Sequence, residues 1–400
     1  MAEQVLAKRI TSISPSLTLA ISAKAKAMKA AGENVISFGV GEPDFNTPDY
    51  IVAAAKEALE KGFTKYTPSS GMPALRQAIA EKFKRDNGLH YDPAQIIVSG
   101  GAKHSIFNAC YALVDEGDEV IIPAPYWLTY PEVVKVCGGV PVIVKASETT
   151  GYKITPRQLE EAITPRTKLF IFNSPSNPTG AVYSEEEVRA LAAVCEKAGI
   201  FVLSDEIYEK LVYGNAKAFS MAAASDYMLE HTITVNGVSK TYAMTGWRIG
   251  YLAAPKEIAK AIDSFQSHAT SNANSIAQYA TVKALNSPED EVNKMVARFA
   301  ERRQAMLERI KKFQNAHCIV PDGVFYVMLF VKDYYGKQCN GKAVTDSASF
   351  ANVLLEEQKV AVVPGAAFGA DECVRLSYSL SMEELMEGLE RIDAFLRALR

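Results

Sequence analysis

The chain has 400 residues, which is long for one domain and indicates two. Hydrophobic residues make up 48% of it and charged residues 22%, as in ordinary globular proteins, so we expect a large buried core and little disorder. The formal net charge of −3 produces no overall field that would attract nucleic acid or an anionic membrane, and we expect neither as a partner.

Simple features also bear on location and on metals. No apolar run approaches the roughly 18 residues needed to span a bilayer, and the first residues, MAEQVLAKRITSIS, lack the apolar core of a signal peptide. The 6 cysteines are scattered without a CxxC pair, which predicts a reducing, cytoplasmic location. The 5 histidines show no HxxxH or HExxH spacing, so we expect no metal site.

From residue 46 to residue 286, helical periodicity alternates with short runs rich in β-branched residues. Thr47 and Pro48 are predicted to begin the first helix as N-cap and first residue, and Gly62 to end it. Each run is apolar and nearly continuous, as expected of a strand buried on both faces of a mainly parallel sheet. The clearest runs are Gln95–Ser99, Glu119–Pro123, Lys168–Asn173, Ile200–Ser204 and Thr232–Val235.

A different pattern follows in the last part of the chain. Apolar residues recur at helical spacing from Val292 to Phe313, and Val324–Val331 is predicted to be a buried strand. We therefore expect a second, smaller α+β domain. The predicted division is an N-terminal arm that also forms part of the small domain (1–45), a large domain (46–290) and the small C-terminal domain (291–400).

The segment GVSKTYAMTGWRIGY, residues 237–251, carries the strongest chemical signal. It places Lys240 where an apolar run gives way to a loop of small residues, and Arg248 follows later in the same loop. A lysine amine reacts with a carbonyl only when it is uncharged, and partial burial lowers its pKa toward that state. Arg248 would supply a permanent cation for a phosphate. Taken alone, a surface lysine and arginine on a loop explain this segment more simply.

Three further segments carry groups suited to a ligand. FVLSDEIY ends an apolar run in Asp205, at the sheet edge where parallel folds bind ligands, although a helix cap explains that aspartate equally well when it is taken alone. NSPSNPTG is predicted to be a tight loop from which Asn177 could reach a ligand oxygen. VSGGAKHSIF runs through Gly100 and Gly101 into a helix, and backbone N–H groups at such a helix start can cradle a phosphate.

Together these segments resemble the class I pyridoxal-phosphate-dependent aminotransferases, specifically the bacterial-type aspartate aminotransferases. The resemblance extends over nearly the whole chain. Each match is modest alone, and the shared order and spacing make the joint signal strong. The matching segments are GVGEPDFNTP (39–48), KYTPSSGMPALRQAI (65–79), PAPYW (123–127), NSPSNPTG (173–180), SDEIY (204–208), SKTYAMTGWRIGY (239–251) and VRLSYS (374–379).

The resemblance implies an α/β fold with a mainly parallel seven-stranded sheet sandwiched by helices, beside a smaller α+β domain. It implies transamination between an L-amino acid, expected to be L-aspartate, and a 2-oxo acid, expected to be 2-oxoglutarate, giving oxaloacetate and L-glutamate. It also implies pyridoxal 5'-phosphate as the cofactor and a homodimer with shared active sites.

The resemblance further implies a role for individual residues. Lys240 would carry the cofactor as an imine and then act as base and acid in the proton transfer. Asp205 would keep the pyridine nitrogen protonated, which makes the ring an electron sink. Around the ring, Tyr208 and Asn177 would contact the phenolic oxygen and Trp127 the ring face. The phosphate would be bound by Gly101, Ala102, Lys103 and Arg248, and by Tyr66 of the neighbouring subunit. The substrate would be bound by Gly41, Trp127, Asn177 and Arg375, with Arg375 binding the α-carboxylate.

The sequence departs from parts of the family pattern. Some relatives place a phosphate-binding serine three residues before the lysine, where this chain has Gly237, with Ser239 nearby. The animal and enteric aspartate enzymes bind the distal carboxylate with an arginine of the other subunit, and residues 264–275 contain none. The bacterial relatives use a lysine of the phosphate loop, which matches Lys103, so Lys103 is also a predicted substrate-binding residue.

Three alternatives remain open at this stage. The chain could be a related class I enzyme with an aromatic, prephenate or other acceptor, or a lyase. It could be a non-catalytic cofactor-binding sensor domain of a transcription regulator, but that needs a basic DNA-binding module, and this acidic sequence has 38 residues before Gly39. A nicotinamide-dependent oxidoreductase is disfavoured because no GxGxxG follows a predicted strand.

Overall fold

A computed structural model of the protein describes residues 5–13 and 17–400, so parts of the predicted N-terminal arm lie outside the described residues. The strands are β1 Ile36–Ser37, β2 Ile96–Ser99, β3 Glu119–Ala124, β4 Val140–Lys145, β5 Thr167–Asn173, β6 Phe201–Asp205, β7 Thr232–Gly237, β8 Gly250–Ala253, β9 His317–Cys318, β10 Tyr326–Phe330, β11 Gln338–Cys339, β12 Lys342–Ala343, β13 Val360–Ala361, β14 Val363–Pro364 and β15 Cys373–Ser377. The α-helices are α1 Lys8–Thr11, α2 Leu17–Ala30, α3 Asp49–Glu60, α4 Pro73–Asn87, α5 Ala102–Leu113, α6 Thr129–Val136, α7 Pro156–Ala162, α8 Glu185–Ala198, α9 Asp226–Leu229, α10 Lys256–Ala269, α11 Ser275–Asn286, α12 Asp290–Ile310, α13 Ser347–Gln358 and α14 Met382–Ala398.

The large domain is built on a seven-stranded sheet of strand order β2-β8-β7-β6-β5-β3-β4. β8 is antiparallel to both of its neighbours, and the remaining pairs are parallel. Successive side chains alternate between the two faces, so Leu169 and Ile171 face one hydrophobic cluster while Phe170 and Phe172 face another. The predicted α/β fold is confirmed, and all five predicted runs lie in this sheet.

Three predicted boundaries are wrong. Thr47 does not cap the first large-domain helix, because its hydroxyl donates a hydrogen bond to the carbonyl of Ala243 at 2.8 Å. Pro48 takes the cap position instead, and α3 begins one residue later. The strand predicted to begin at Val324 begins at the start of β10, since Val324 has a φ of 57° that no strand residue adopts. α12 ends before Phe313, which packs into the core from beyond the helix.

The second, smaller domain contains a four-stranded antiparallel sheet, β14-β15-β10-β9, together with α12, α13 and α14. The N-terminal elements pack into the same core. β1 pairs in parallel with β13, with Ile36 opposite Val360, and Ile21 and Phe38 belong to the same hydrophobic cluster as Phe395 of α14. Both ends of the described chain therefore build one core, while the division at residues 45 and 290 stays a prediction.

Within residues 5–13 and 17–400, no helix combines the length and the apolar character that crossing a membrane requires.

Candidate active site

A cavity of 360 Å³ lies where the carboxyl ends of the parallel strands face the smaller domain. β5 and β6 end in Asn173 and Asp205, which both line it, and Lys240 lines it from the loop after β7. Tyr326 of β10 and Arg375 of β15 reach the same cavity from the smaller sheet. An open parallel sheet binds its ligands at this edge.

The cavity brings together most of the residues predicted from the sequence. Those that line it are Gly41, Ala102, Lys103, Trp127, Asn177, Asp205, Tyr208, Lys240, Arg248 and Arg375. Gly101 adjoins it as the N-cap of α5, and Ser239, whose role the sequence left open, lines it as well. Tyr66 does not line it and is 91% exposed. Lining residues that the sequence did not single out include Ser22, Gly39, Leu128, Tyr130, Asn173, Ile207, Thr245 and Tyr326.

The Lys240 amine projects into the cavity and donates a hydrogen bond to the Gly41 carbonyl at 2.5 Å. Burial, together with the charges of Arg375 and Arg248, lowers the pKa of this amine to about 8 against the opposing negative charge of Glu42. A lysine with such a pKa has a substantial uncharged fraction near neutral pH, which is the state that acts as a base or nucleophile.

Asp205 is 3% exposed at the end of β6. The hydroxyl of Tyr130 donates to its Oδ2 at 2.7 Å, and the backbone N–H of Ile207 donates to its Oδ1 at 3.3 Å. Burial raises the pKa of Asp205 to about 6, although both hydrogen bonds and the charge of Lys240 favour the ionised form. The site thus holds a buried carboxylate that a cationic N–H of a ligand would stabilise.

An anion cradle is formed by the start of α5 and the guanidinium of Arg248. Gly101 has a φ of 97°, and a Cβ there would lie 2.2 Å from Nη2 of Arg248, so only glycine leaves room for that contact. Arg248 donates to the carbonyls of Thr245 at 2.9 Å and Gly100 at 3.2 Å, which fixes its position. Backbone N–H groups at the start of a helix and a fixed guanidinium together favour a phosphate.

Arg375 is 5% exposed, and one of its nitrogen atoms makes no hydrogen bond within the described part of the chain. Its Nη1 donates to Oδ1 of Asn177 at 3.0 Å and its Nη2 to the Gly39 carbonyl at 3.3 Å, while Nε has no partner among the described residues. The Tyr326 ring lies 4.1 Å from the guanidinium carbon. A buried arginine whose donors are incompletely satisfied is suited to bind a carboxylate that enters the cavity.

Two tyrosine hydroxyls in this cavity, those of Tyr326 and Tyr130, contact predicted residues but were not themselves predicted from the sequence. The Tyr326 hydroxyl lies 3.2 Å from that of Tyr208, within hydrogen-bond distance, and burial raises the pKa of both phenols. Tyr130, which bonds Asp205, stands three residues after Trp127 at the start of α6, and its closeness in sequence to that predicted residue could have indicated a shared site. Tyr326 gave no such signal, because it stands in an apolar run typical of any core strand.

Comparison with known proteins places the chain in a family. The family model described as aminotransferase class I and II matches residues 33–392. This chain belongs to the class I and II aminotransferases. The aminotransferase is 51% identical to the aspartate aminotransferase of Geobacillus stearothermophilus over 393 residues, which cover 98% of this chain and 99% of the relative. It is 47% identical to the probable aspartate/prephenate aminotransferase of Aquifex aeolicus (strain VF5) over 396 residues, with 98% and 99% covered.

A solved structure gives the same result for the fold. The crystal structure of the aspartate aminotransferase from Rhizobium meliloti superposes on this aminotransferase with a TM-score of 0.96 at 44% sequence identity, covering 99% of both chains. The resemblance inferred from seven sequence segments is therefore confirmed, and the enzyme class is that of the transaminases. Class I aminotransferases use pyridoxal phosphate.

Proposed function

We propose that this aminotransferase is an aspartate aminotransferase, which moves the amino group of L-aspartate to 2-oxoglutarate and so forms oxaloacetate and L-glutamate. The observation that carries the proposal is that Lys240, Asp205 and the buried guanidinium of Arg375 all line one cavity. The Geobacillus relative with that name, 51% identical over nearly its whole length, supports the same substrate.

We infer that the cavity holds pyridoxal 5'-phosphate, because its groups fit that cofactor. The start of α5 and Arg248 suit the phosphate, and a Cβ at Gly101 would prevent the close approach of the guanidinium to this helix start. Asp205 is a buried anion suited to the protonated pyridine nitrogen. Trp127 offers an aromatic face to the ring, and the hydroxyl of Tyr208 can donate to its phenolic oxygen, as can the amide of Asn177.

Bound pyridoxal phosphate supplies the carbonyl carbon for the amino group and a ring that withdraws electrons from the substrate's α-carbon. Lys240 is the attachment point and then the group that takes and returns the α-proton, for which its pKa of about 8 is suitable. The Gly41 carbonyl holds the amine at 2.5 Å when it is not attached. Arg375 orients the substrate by its α-carboxylate, using Nε and the guanidinium edge.

Lys103 supplies the cation for the distal carboxylate of aspartate in this proposal. It lines the cavity with its Nζ 4.8 Å from the centre of the Trp127 ring. Burial lowers the pKa of Lys103, and the neighbouring Arg248 lowers it further, with no described carboxylate close enough to oppose them. Its charge is therefore free for a substrate anion. Prephenate is a second candidate acceptor, since the Aquifex relative is named for both aspartate and prephenate.

We infer a homodimer with shared active sites. The Tyr66 side chain is 91% exposed, yet the loop that follows it is firmly held. Nε2 of Gln278 donates to Oγ1 of Thr67 at 3.1 Å, and Nε2 of Gln266 donates to the carbonyl of Ser69 at 2.7 Å. A large phenol presented on a fixed loop suits contact with a second copy, whose phosphate it would bind. Sedimentation at assay concentration should give a dimer, and an active monomer would contradict the inference.

We also infer a cytoplasmic enzyme. All 6 cysteines lie in the described part of the chain, and each is a free thiol. Scattered, unpaired thiols suit a compartment that keeps cysteine reduced.

The proposal is tested in two steps. After incubation with pyridoxal phosphate and treatment with borohydride, peptide mapping should find the cofactor's mass on the peptide that contains Lys240, and a label on another lysine would refute the assignment. Initial rates are then measured for aspartate, phenylalanine and alanine as donors to 2-oxoglutarate, and for prephenate as acceptor. Aspartate should give the highest kcat/KM among the donors, and a higher value for prephenate than for 2-oxoglutarate would favour the second candidate.

A further inference from the structure

A buried charge cluster joins α4 to the turn that follows β6. It consists of Lys82 and Asp86 of α4 and Glu209 from the turn after β6. Nζ of Lys82 is in direct contact with Oε1 of Glu209, and it lies 3.8 Å from Oδ2 of Asp86. Among ion pairs of residues 5–13 and 17–400, only these two have both side chains less than one tenth exposed.

A third side chain, Asn87, forms hydrogen bonds with both members of the Lys82–Glu209 pair. Nζ of Lys82 donates to Oδ1 of Asn87 at 2.8 Å, and Nδ2 of Asn87 donates to Oε2 of Glu209 at 3.0 Å. Both carboxylate oxygens of Glu209 are therefore satisfied. The arrangement has one geometry, because a shift of any member leaves a buried polar atom without a partner.

The turn that carries Glu209 also carries two cavity residues. Asp205 ends β6, Tyr208 follows in the turn, and both line the cavity. Short-range bonds shape the turn: the N–H of Glu209 donates to the Glu206 carbonyl at 3.0 Å, and the N–H of Leu211 to the Tyr208 carbonyl at 2.8 Å. Such bonds set the shape of a turn but not its placement on the rest of the domain. Several long-range contacts supply that placement. The N–H of Glu206 donates to the Val235 carbonyl at 2.9 Å, and Nζ of Lys210 lies 3.1 Å from Oδ2 of Asp86 in α4. The Lys82–Glu209 pair is the ion pair between the turn and α4 in which both side chains are buried.

We propose that the buried Lys82–Glu209 ion pair is a positioning device, which fixes the turn so that Asp205 and Tyr208 face the cavity in their working positions. A buried ion pair adds little net stability, because the loss of hydration offsets the attraction, and apolar replacements of similar volume are often as stable. The charged groups and their hydrogen bonds instead hold the turn in one geometry. The inference rests on the proposed function, since that function defines which positions of Asp205 and Tyr208 are the working ones. The placement of the turn itself can be measured independently.

The test compares the wild type with the neutral double variant Lys82→Met/Glu209→Leu. Asp86 keeps its ion pairs with Lys210 at 3.1 Å and Arg85 at 2.8 Å, so removing both charges leaves no buried ion unpaired, and the melting temperature should stay near that of the wild type. In the cofactor-free protein, amide hydrogen exchange of residues 206–211 should become faster. In the holoenzyme, kcat should fall about ten- to a hundredfold, as expected when catalytic groups are displaced by a fraction of an ångström to an ångström. Glu209→Gln alone leaves the buried Lys82 charge without this partner and should lower the melting temperature more than the double variant does.

The control is Glu119→Leu/Arg166→Met, a second ion pair with a buried carboxylate. Glu119 is buried, at 4% exposure, and its Oε1 lies 2.5 Å from Nη2 of Arg166, whose side chain is 73% exposed. This pair lies at the start of β3, the opposite edge of the same sheet from the cavity. The control should leave kcat and the exchange of residues 206–211 unchanged.

The possible outcomes separate the positioning role of the ion pair from the proposed function. Wild-type exchange and wild-type kcat in the Lys82→Met/Glu209→Leu variant would overturn the positioning role, and so would equal losses of kcat in that variant and in the control. If the wild type itself gives no aspartate transamination with pyridoxal phosphate, the proposed function fails. The exchange measurement, made without cofactor or substrate, still decides whether the ion pair places the turn.

Discussion

Burial of the Lys240 amine should destabilise the cofactor-free protein at neutral pH, and Lys240→Met should remove that penalty. Methionine keeps the length and the apolar stem of the side chain while it removes the charge. A fall of the pKa from 10.5 to about 8 corresponds to about 3.5 kcal/mol at about 1.4 kcal/mol per pKa unit, and contact with solvent at the open cavity reduces the expected value to about 2 kcal/mol.

The pH dependence follows from the sign of that change. Because the folded-state pKa lies below the unfolded value, the penalty is complete below pH 8, decreases as the pH rises from about 8 to 10.5, and vanishes above it. Lys240→Met should therefore be about 2 kcal/mol more stable than the wild type at pH 7, and this advantage should shrink toward pH 10.5.

Equilibrium urea unfolding of the two cofactor-free proteins at pH 7 and pH 10 measures the difference. Lys260→Met, on the exposed face of α10, is the control, since the loss of a solvated charge there should change the free energy of unfolding little. The reasoning is refuted if Lys240→Met is no more stable than the wild type at pH 7, or if its advantage is the same at both pH values.

Three further substitutions test individual contacts of the site. Lys103→Ala should lower kcat/KM for aspartate and glutamate about ten- to a hundredfold, since a charge-assisted contact contributes roughly 1.5–3 kcal/mol, and should change kcat/KM for alanine little. Equal losses of kcat/KM for acidic donors and for alanine would contradict a role of Lys103 in specificity. Asp205→Ala should give a folded protein with weakly bound, poorly reactive cofactor, and near-normal turnover would reduce Asp205 to a structural residue. Tyr130→Phe removes a bond that favours the ionised Asp205, so the pKa of Asp205 should rise further; kcat should fall about tenfold near neutral pH and recover as the pH is raised, unlike a purely structural loss.

Trp127 and Arg375 could be predicted only from the resemblance to a family, whereas a local pattern predicts others of the cavity residues. Asp205 ends an apolar run and Lys240 follows the next, and parallel strands bring such ends to one edge of a sheet. The hydrogen bond between Tyr130 and Asp205 could not be predicted from a local pattern, because the two residues are 75 positions apart. Thr47 was misassigned for the same reason, since its residue type suits a helix cap while its actual partner, Ala243, is 196 residues away.

The same limit applies to the smaller domain. The sequence predicted its existence and its long helix, because those depend on local helical periodicity. Local periodicity could not predict that β1 would pair with β13, because Ile36 and Val360 are brought together only by the complete fold. The two-residue length of each of these strands also leaves no alternation to recognise.

The shared core of the two chain ends has a consequence for synthesis. Strands β2 to β8 all lie between residues 96 and 253, so the large sheet can assemble while the ribosome is still translating. α2 and β1 emerge earlier but must wait for α14, with apolar side chains such as Ile21 and Phe38 still unburied. Contacts of such long sequence separation form slowly. Although α2 and β1 are synthesised early, they are therefore among the last elements to be buried. Until then, their exposed apolar side chains are a target for chaperone binding.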